Sequence, residues 1–129
     1  MKGSILYIED EFFFANTIAN KLSEHGLEMD TAKNGTLGIE ALKKKKYDLV
    51  LLDLILPEMS GFEVLEQMKA DPATKDIPVV VLSNLSSDED KKKAKSLGAI
   101  NFFVKINTTP NEILAMVRNI VAPPEHKVS

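Results

Sequence analysis

The stretch Tyr47-Asp48-Leu49-Val50-Leu51-Leu52-Asp53 constrains the fold most, because an unbroken apolar run delivers a single carboxylate to its end. Four consecutive apolar residues read as a strand covered on both faces, the pattern of a parallel sheet with helices on either side. An ionised carboxylate at such a place costs several kcal/mol or shifts its pKa unless a partner is supplied. The chain must therefore bring cations to Asp53, either a lysine from another strand end or a divalent metal.

The remaining segments are consistent with that frame. Residues 4–9 form an apolar run that closes on Glu9-Asp10-Glu11. Phe14, Ile18 and Leu22 then recur at helical spacing, with Gly26 as a stop, which predicts a helix over about 11–25. Residues 27–33 alternate weakly as a strand. Asn34-Gly35 reads as a turn before a short helix carrying Leu37, Ile39, Ala41 and Leu42, and lysines follow where they suit the negative end of a helix dipole.

After Asp53, Pro57 and Gly61 mark a loop, and Ser60 with Glu63 has capping-box spacing for a helix that fails before Asp71-Pro72. Residues 77–83 form a fourth apolar strand, rich in β-branched residues and ending on Ser83. Ser86 and Glu89 repeat the capping-box spacing, ahead of a helix of acids followed by lysines in which only Ala94 and Leu97 can bury much. So thin an apolar stripe predicts weak attachment and easy local motion. Residues 100–105 read as a fifth strand ending on Lys105. Thr109 and Glu112 cap a last helix with Pro110 at its first position, running to Val121. Residues 123–129 are expected to be a disordered tail beyond a single domain at 1–122.

Strands alternating with helices imply a parallel sheet with right-handed crossovers, whose ligands bind beyond the carboxyl ends of the strands. Glu9, Asp10, Asp53, Ser83 and Lys105 all fall at such ends. At 129 residues, 44% hydrophobic, the chain suits one domain. A net charge of −3 argues against broad nucleic-acid binding, so the lysine runs 43–46 and 91–93 read as solvated helix faces. No cysteine is present, no apolar run nears the roughly 18 residues of a membrane helix, and the opening Met-Lys-Gly-Ser has no signal-peptide core. A cytoplasmic protein is expected.

In order and spacing, Ile8-Glu9-Asp10-Glu11, Ala32-Lys33-Asn34-Gly35, Asp53 with Pro57 and Gly61, Val81-Leu82-Ser83 and Phe102-Phe103-Val104-Lys105 resemble the receiver domain of two-component response regulators over about residues 3–121. The resemblance implies a doubly wound, flavodoxin-like (βα)5 fold with strand order 2-1-3-4-5. It implies that Asp53 accepts a phosphoryl group from a sensor histidine kinase or histidine phosphotransfer protein. Glu9, Asp10, Asp53 and the backbone carbonyl of Ile55 would hold Mg2+, for which Mn2+ substitutes. Lys105 would pair with Asp53 and then the phosphoryl group, and Ser83 with Phe102 would form the switch. Such a domain signals through a downstream protein or effector domain, as a monomer or phosphorylation-dependent dimer, without contacting nucleic acid or membrane itself. It catalyses only its own phosphorylation and dephosphorylation.

The chain departs from the family's usual pattern at Ile106, where proline commonly follows the lysine, at Phe102 in place of tyrosine, and at Leu56 in place of methionine. Either a non-proline cis bond, costing about 2.5–4 kcal/mol, or a different loop path is implied after Lys105. Ile55 and Leu85, two positions beyond Asp53 and Ser83, are apolar where receivers face the phosphoryl group, which implies slow hydrolysis. A phosphorylation-independent pseudo-receiver is the alternative. A metal-dependent phosphatase is disfavoured, since Leu54-Ile55 follows Asp53 where such an enzyme wants a second acid. No effector domain is expected after Val121, so the chain reads as a stand-alone receiver or one excised from a larger protein.

Overall fold

The computed structural model describes residues 3–121, and the tail at 123–129 lies outside them. Five parallel strands form one sheet in the order β2-β1-β3-β4-β5. They are β1 (Ser4–Ile8), β2 (Glu28–Ala32), β3 (Leu49–Leu52), β4 (Val79–Ser83) and β5 (Asn101–Val104). The connecting helices are α1 (Phe12–Ser23), α2 (Gly35–Lys44), α3 (Gly61–Ala70), α4 (Asp88–Ser96) and α5 (Pro110–Val121). No described helix is long and apolar enough to cross a membrane.

Two cores separate on the two faces of the sheet because alternate strand residues point oppositely. Leu6, Ile8, Val50, Leu52, Val79 and Val81 pack with Leu42 of α2, Val64, Leu65 and Met68 of α3 and Ala94 of α4. Ile5, Tyr7, Leu49, Leu51, Val80 and Leu82 pack with Ile18 and Leu22 of α1 and Ile113, Leu114 and Val117 of α5. Every residue of β3 and β4 is buried, as their continuous apolar runs predict.

The ends of the elements refine the sequence reading. Strand β1 stops at Ile8 and β3 at Leu52, so Glu9 and Asp53 each stand one residue beyond a ladder. Asn34 is the N-cap of α2, its side chain accepting from the Leu37 N–H at 2.8 Å, rather than part of a free turn. The capping boxes at Ser60–Glu63 and Thr109–Glu112 both form. The cap expected at Ser86 falls one residue later: Ser87 accepts from the Asp90 N–H and donates to the Asp90 carboxylate. Strand β4 begins after Pro78, which has no N–H to give a ladder, although its carbonyl still accepts from the Val50 N–H.

Beyond β5 the chain takes a 3₁₀ turn over Lys105–Asn107 instead of continuing as strand. All described peptide bonds are trans. The turn is held by Thr108 Oγ1 donating to the Val104 carbonyl at 2.7 Å and by the Ile106 N–H donating to Asn84 Oδ1 at 2.8 Å. Lys105 thus reaches the sheet rim by a different loop path.

The loop after β3 is equally specific. The Met59 N–H bonds the Pro57 carbonyl at 2.7 Å around Glu58, whose φ of 71° lies in the left-handed region. The chain then returns so that the Gly61 N–H meets the Leu54 carbonyl at 3.0 Å, and a Cβ on Gly61 would press on the backbone carbonyl of Asp53 and on the Leu54 Cα. Glycine in a helix usually costs up to about 1 kcal/mol relative to alanine. Here the sign is expected to reverse: Gly61→Ala lowers unfolding free energy in denaturant titration, because backbone at the Asp53 loop has to shift.

Candidate functional site

At the carboxyl edge of the sheet, β1, β3, β4 and the turn after β5 bring Glu9, Asp53, Ser83 and Lys105 together, all buried. Lys105 Nζ lies 3.0 Å from Asp53 Oδ2, 2.6 Å from Glu9 Oε1 and 2.8 Å from Glu11 Oε1. Ser83 Oγ donates to Asp53 Oδ1 at 2.6 Å, and the Ile55 N–H donates to the same oxygen at 3.0 Å. The hydroxyl oxygen of Ser83 in turn accepts from the Leu85 N–H at 3.2 Å. Asp53 therefore has a cation on one oxygen and two neutral donors on the other.

Asp10 is exposed beside this network. One oxygen each from Glu9, Asp10 and Asp53 lies within 4.8 Å of the others. Two unit charges about 4 Å apart at an effective dielectric near 20 repel by about 4 kcal/mol. One ammonium shared among Glu9, Glu11 and Asp53 leaves negative charge in excess, and the donors are all oxygens. That donor set fits a hard divalent cation such as Mg2+.

The titration behaviour follows from the sharing. Burial alone would lower Lys105, but its bonds to Glu11, Glu9 and Asp53 outweigh that and hold it above its ordinary 10.5. Burial raises the Glu9 carboxyl above the usual range, and the charge of Asp53 pushes the same way against the pull of Lys105. Both partners can rise together because Lys105 divides its attraction among three acids.

A cleft opens over the network, lined by Asp10, Glu11, Asp53, Ile55, Leu56, Pro57, Asn84 and Lys105, with a volume of about 430 Å³. Ile55 stands at it, 55% exposed. Leu85 is not among the lining residues and packs, partly buried, against the core that includes α3 and α4; Asn84 lines the cleft instead. Phe102 is partly buried against the same core, with Lys91 Nζ 6.0 Å from its ring centroid. In α4 only Ala94 is buried.

Two residues take parts that the sequence does not assign them. Glu11, the N-cap of α1, turns its carboxylate onto Lys105. Tyr7 donates from beneath to Glu9 Oε1 at 2.9 Å. The alternation of β1 puts Tyr7 on the same face as Glu9, and that spacing was the available signal. Phe12 and Phe13, 70% and 84% exposed, start α1 directly beyond Glu11.

Removing the ammonium strands buried carboxylates. Lys105→Met is expected to lower stability by about 3 kcal/mol at pH 7. Because the folded pKa of Lys105 is raised, its contribution is complete below 10.5 and is lost as pH rises through the folded value. The gap between wild type and variant should thus persist from neutral to about pH 10 and close above it. It should also narrow in acid as the carboxylates become neutral. Denaturant titrations of both proteins across pH check each limb.

The response regulator receiver domain family model matches residues 5–118. The chain is 38% identical over 118 residues to the transcriptional regulatory protein YkoG of Bacillus subtilis, covering 91% of this chain and 50% of that protein. It is 42% identical over 79 residues to a probable cyclic di-GMP phosphodiesterase of Vibrio cholerae, covering 61% of this chain and 18% of that one. The chain spans about half the length of most of the curated relatives it matches. In structure it resembles the phosphorylated cyanobacterial phytochrome response regulator RcpA, with TM-score 0.88, 26% identity, and 97% and 98% of the two chains covered. With the 2-1-3-4-5 sheet and an acidic rim crossed by one lysine, the chain belongs to the response regulator receiver domain family.

Proposed function

We propose that this chain is a phosphorylation-activated switch of a two-component phosphorelay, one receiver unit over residues 1–122, with Asp53 as the phosphoacceptor. The observation that carries the reading is that Lys105 and Ser83 both bond Asp53 beside two further acids at the mouth of a cleft. A carboxylate oxygen of Asp53 attacks the phosphorus of a phosphohistidine on a kinase or phosphotransfer protein. The P–O bond forms as the P–N bond breaks, and the imidazole leaves with the electron pair and takes a proton, producing an acyl phosphate.

Glu9, Asp10, Asp53 and the backbone carbonyl of Ile55 would hold Mg2+, or Mn2+ in its place, which supplies positive charge for the phosphoryl oxygens. The chain's own residues do the remainder. Lys105 passes from the carboxylate to a phosphoryl oxygen. Ser83, which now spends its proton on Asp53, turns it to the phosphoryl group and draws the loop after β4 with it. That movement disturbs α4, attached through little more than Ala94, and frees Phe102 to change its packing. A downstream protein or attached effector domain reads the altered face. Nucleic acid and membrane are outside this unit's contacts, its place is the cytoplasm, and it is a monomer or a dimer formed on phosphorylation.

The rival pseudo-receiver reading is weaker, since the acid pair, Asp53 and Lys105 are all present and in contact range. A turnover enzyme is weaker still. The relative named a phosphodiesterase matches over only 18% of its length.

Incubation with acetyl phosphate and Mg2+ is expected to add one phosphoryl group by intact mass, abolished in Asp53→Asn and by EDTA. An adduct retained by Asp53→Asn contradicts the assignment. The lifetime of that adduct depends on Ile55, whose side chain offers no hydrogen bond to an attacking water at the cleft. Since in-line placement governs such transfers, Ile55→Asn should shorten the phosphoprotein half-life by roughly threefold or more; decay followed by mass at fixed pH decides it.

A further inference from the structure

Tyr7 is fully buried in the middle of β1, yet its hydroxyl does not go to a main-chain group. It bonds Glu9 Oε1, the oxygen that also meets Lys105, while Glu9 Oε2 accepts from the Glu11 N–H at 3.1 Å. Three donors therefore fix both oxygens of one buried carboxylate. The phenol ring is itself held edge-on to Phe14, centroids 6.4 Å apart, and Lys105 Nζ sits 5.2 Å from the same Phe14 ring. Tyrosine and ammonium thus share one aromatic wall and one oxygen.

We propose that Tyr7 is a positioning residue for the divalent-cation site, holding the Glu9 carboxylate in the orientation that favours Mg2+. The proposal rests on the reading that Glu9, Asp10 and Asp53 hold the cation. Glutamate has one more torsion than aspartate, and that freedom works against a site needing fixed charge. A donor beneath the strand end removes it. If Tyr7 served only to fill the core beside Ile5 and Ile18, phenylalanine would serve equally, because the two differ by the hydroxyl alone. With the hydroxyl gone, Glu9 keeps one donor on each oxygen, Lys105 and the Glu11 N–H, but loses the donor that fixes it from beneath, so its orientation toward Asp10 and Asp53 is held less firmly.

The test is Mg2+ titration calorimetry on the chain without phosphodonor, for wild type, Tyr7→Phe, Glu9→Asp and the double variant. Tyr7→Phe is expected to weaken Mg2+ about tenfold or more, as loss of one hydrogen bond to a charged group implies. In the Glu9→Asp background the same change should have no further effect, since the shorter carboxylate no longer reaches the phenol. Unaltered Mg2+ affinity in Tyr7→Phe, or an equal loss in both backgrounds, overturns the proposal. Should Tyr7→Phe fail to fold, Tyr47→Phe leaves Tyr7 as the one tyrosine. Its near-ultraviolet absorption is expected to shift and saturate with Mg2+ binding, and a flat signal alongside calorimetric binding also overturns it. Absence of Mg2+ binding by the wild-type chain removes the metal-site reading itself, and the inference with it.

Discussion

Lys105 is the hinge of the molecule's electrostatics. One ammonium, buried at the turn after β5, meets carboxylates from β1, the start of α1 and the end of β3. Without it, strand ends that the parallel sheet forces together would carry like charges into a low-dielectric rim. Removing one partner of such a buried set generally costs about 3–5 kcal/mol. The pairing is nonetheless incomplete, because one cation cannot satisfy three acids. Burial chiefly raises Glu9, and the charge of Asp53 adds to it against the pull of Lys105; the negative charge left over makes the rim a fitting donor set for a hard cation.

The sheet makes this concentration possible, and the loops make it accurate. Parallel strands all present their carboxyl ends on one side, so each β-to-α connection begins at the rim. The β3 connection is tied by the strained turn at Glu58 and by the close approach of Gly61 to the Asp53 carbonyl. The β5 connection is tied by Thr108 and by Asn84, which links the turn carrying Lys105 to the loop carrying Ser83. With Ile106 where the family usually has proline, Lys105 Nζ still stands 3.0 Å from Asp53 Oδ2.

Attachment is uneven around this rim. α5 and α3 bury four residues each, whereas α4 buries one and covers the remaining apolar surface with lysine stems, Lys93 over Phe62 and Lys91 over Phe102. Those cation–aromatic contacts are weak, about 0.5–1 kcal/mol at exposed sites, so α4 is held less firmly than its neighbours. A domain that has to be both a stable frame and a switch separates the two tasks in this way.

The alternation of elements, the buried strands β3 and β4, the two capping boxes at Ser60 and Thr109, and the candidates Glu9, Asp10, Asp53, Ser83 and Lys105 can all be read along the chain. Continuous apolar runs, helical periodicity and cap spacing are local, so one chain read in order reveals them. The strand order entered through family resemblance, not periodicity, because nothing local says which strand lies beside which. Element ends shifted by a residue or two, as at Ser87 and Lys105, where competing caps and a 3₁₀ turn differ by small energies. That Glu11 shares Lys105 across 94 positions, that the Tyr7 hydroxyl bonds Glu9, and that Asn84 rather than Leu85 lines the cleft became visible only once the distant segments were packed. Each depends on where a side chain points after distant segments have packed, a result of long-range geometry that residue type and spacing do not carry.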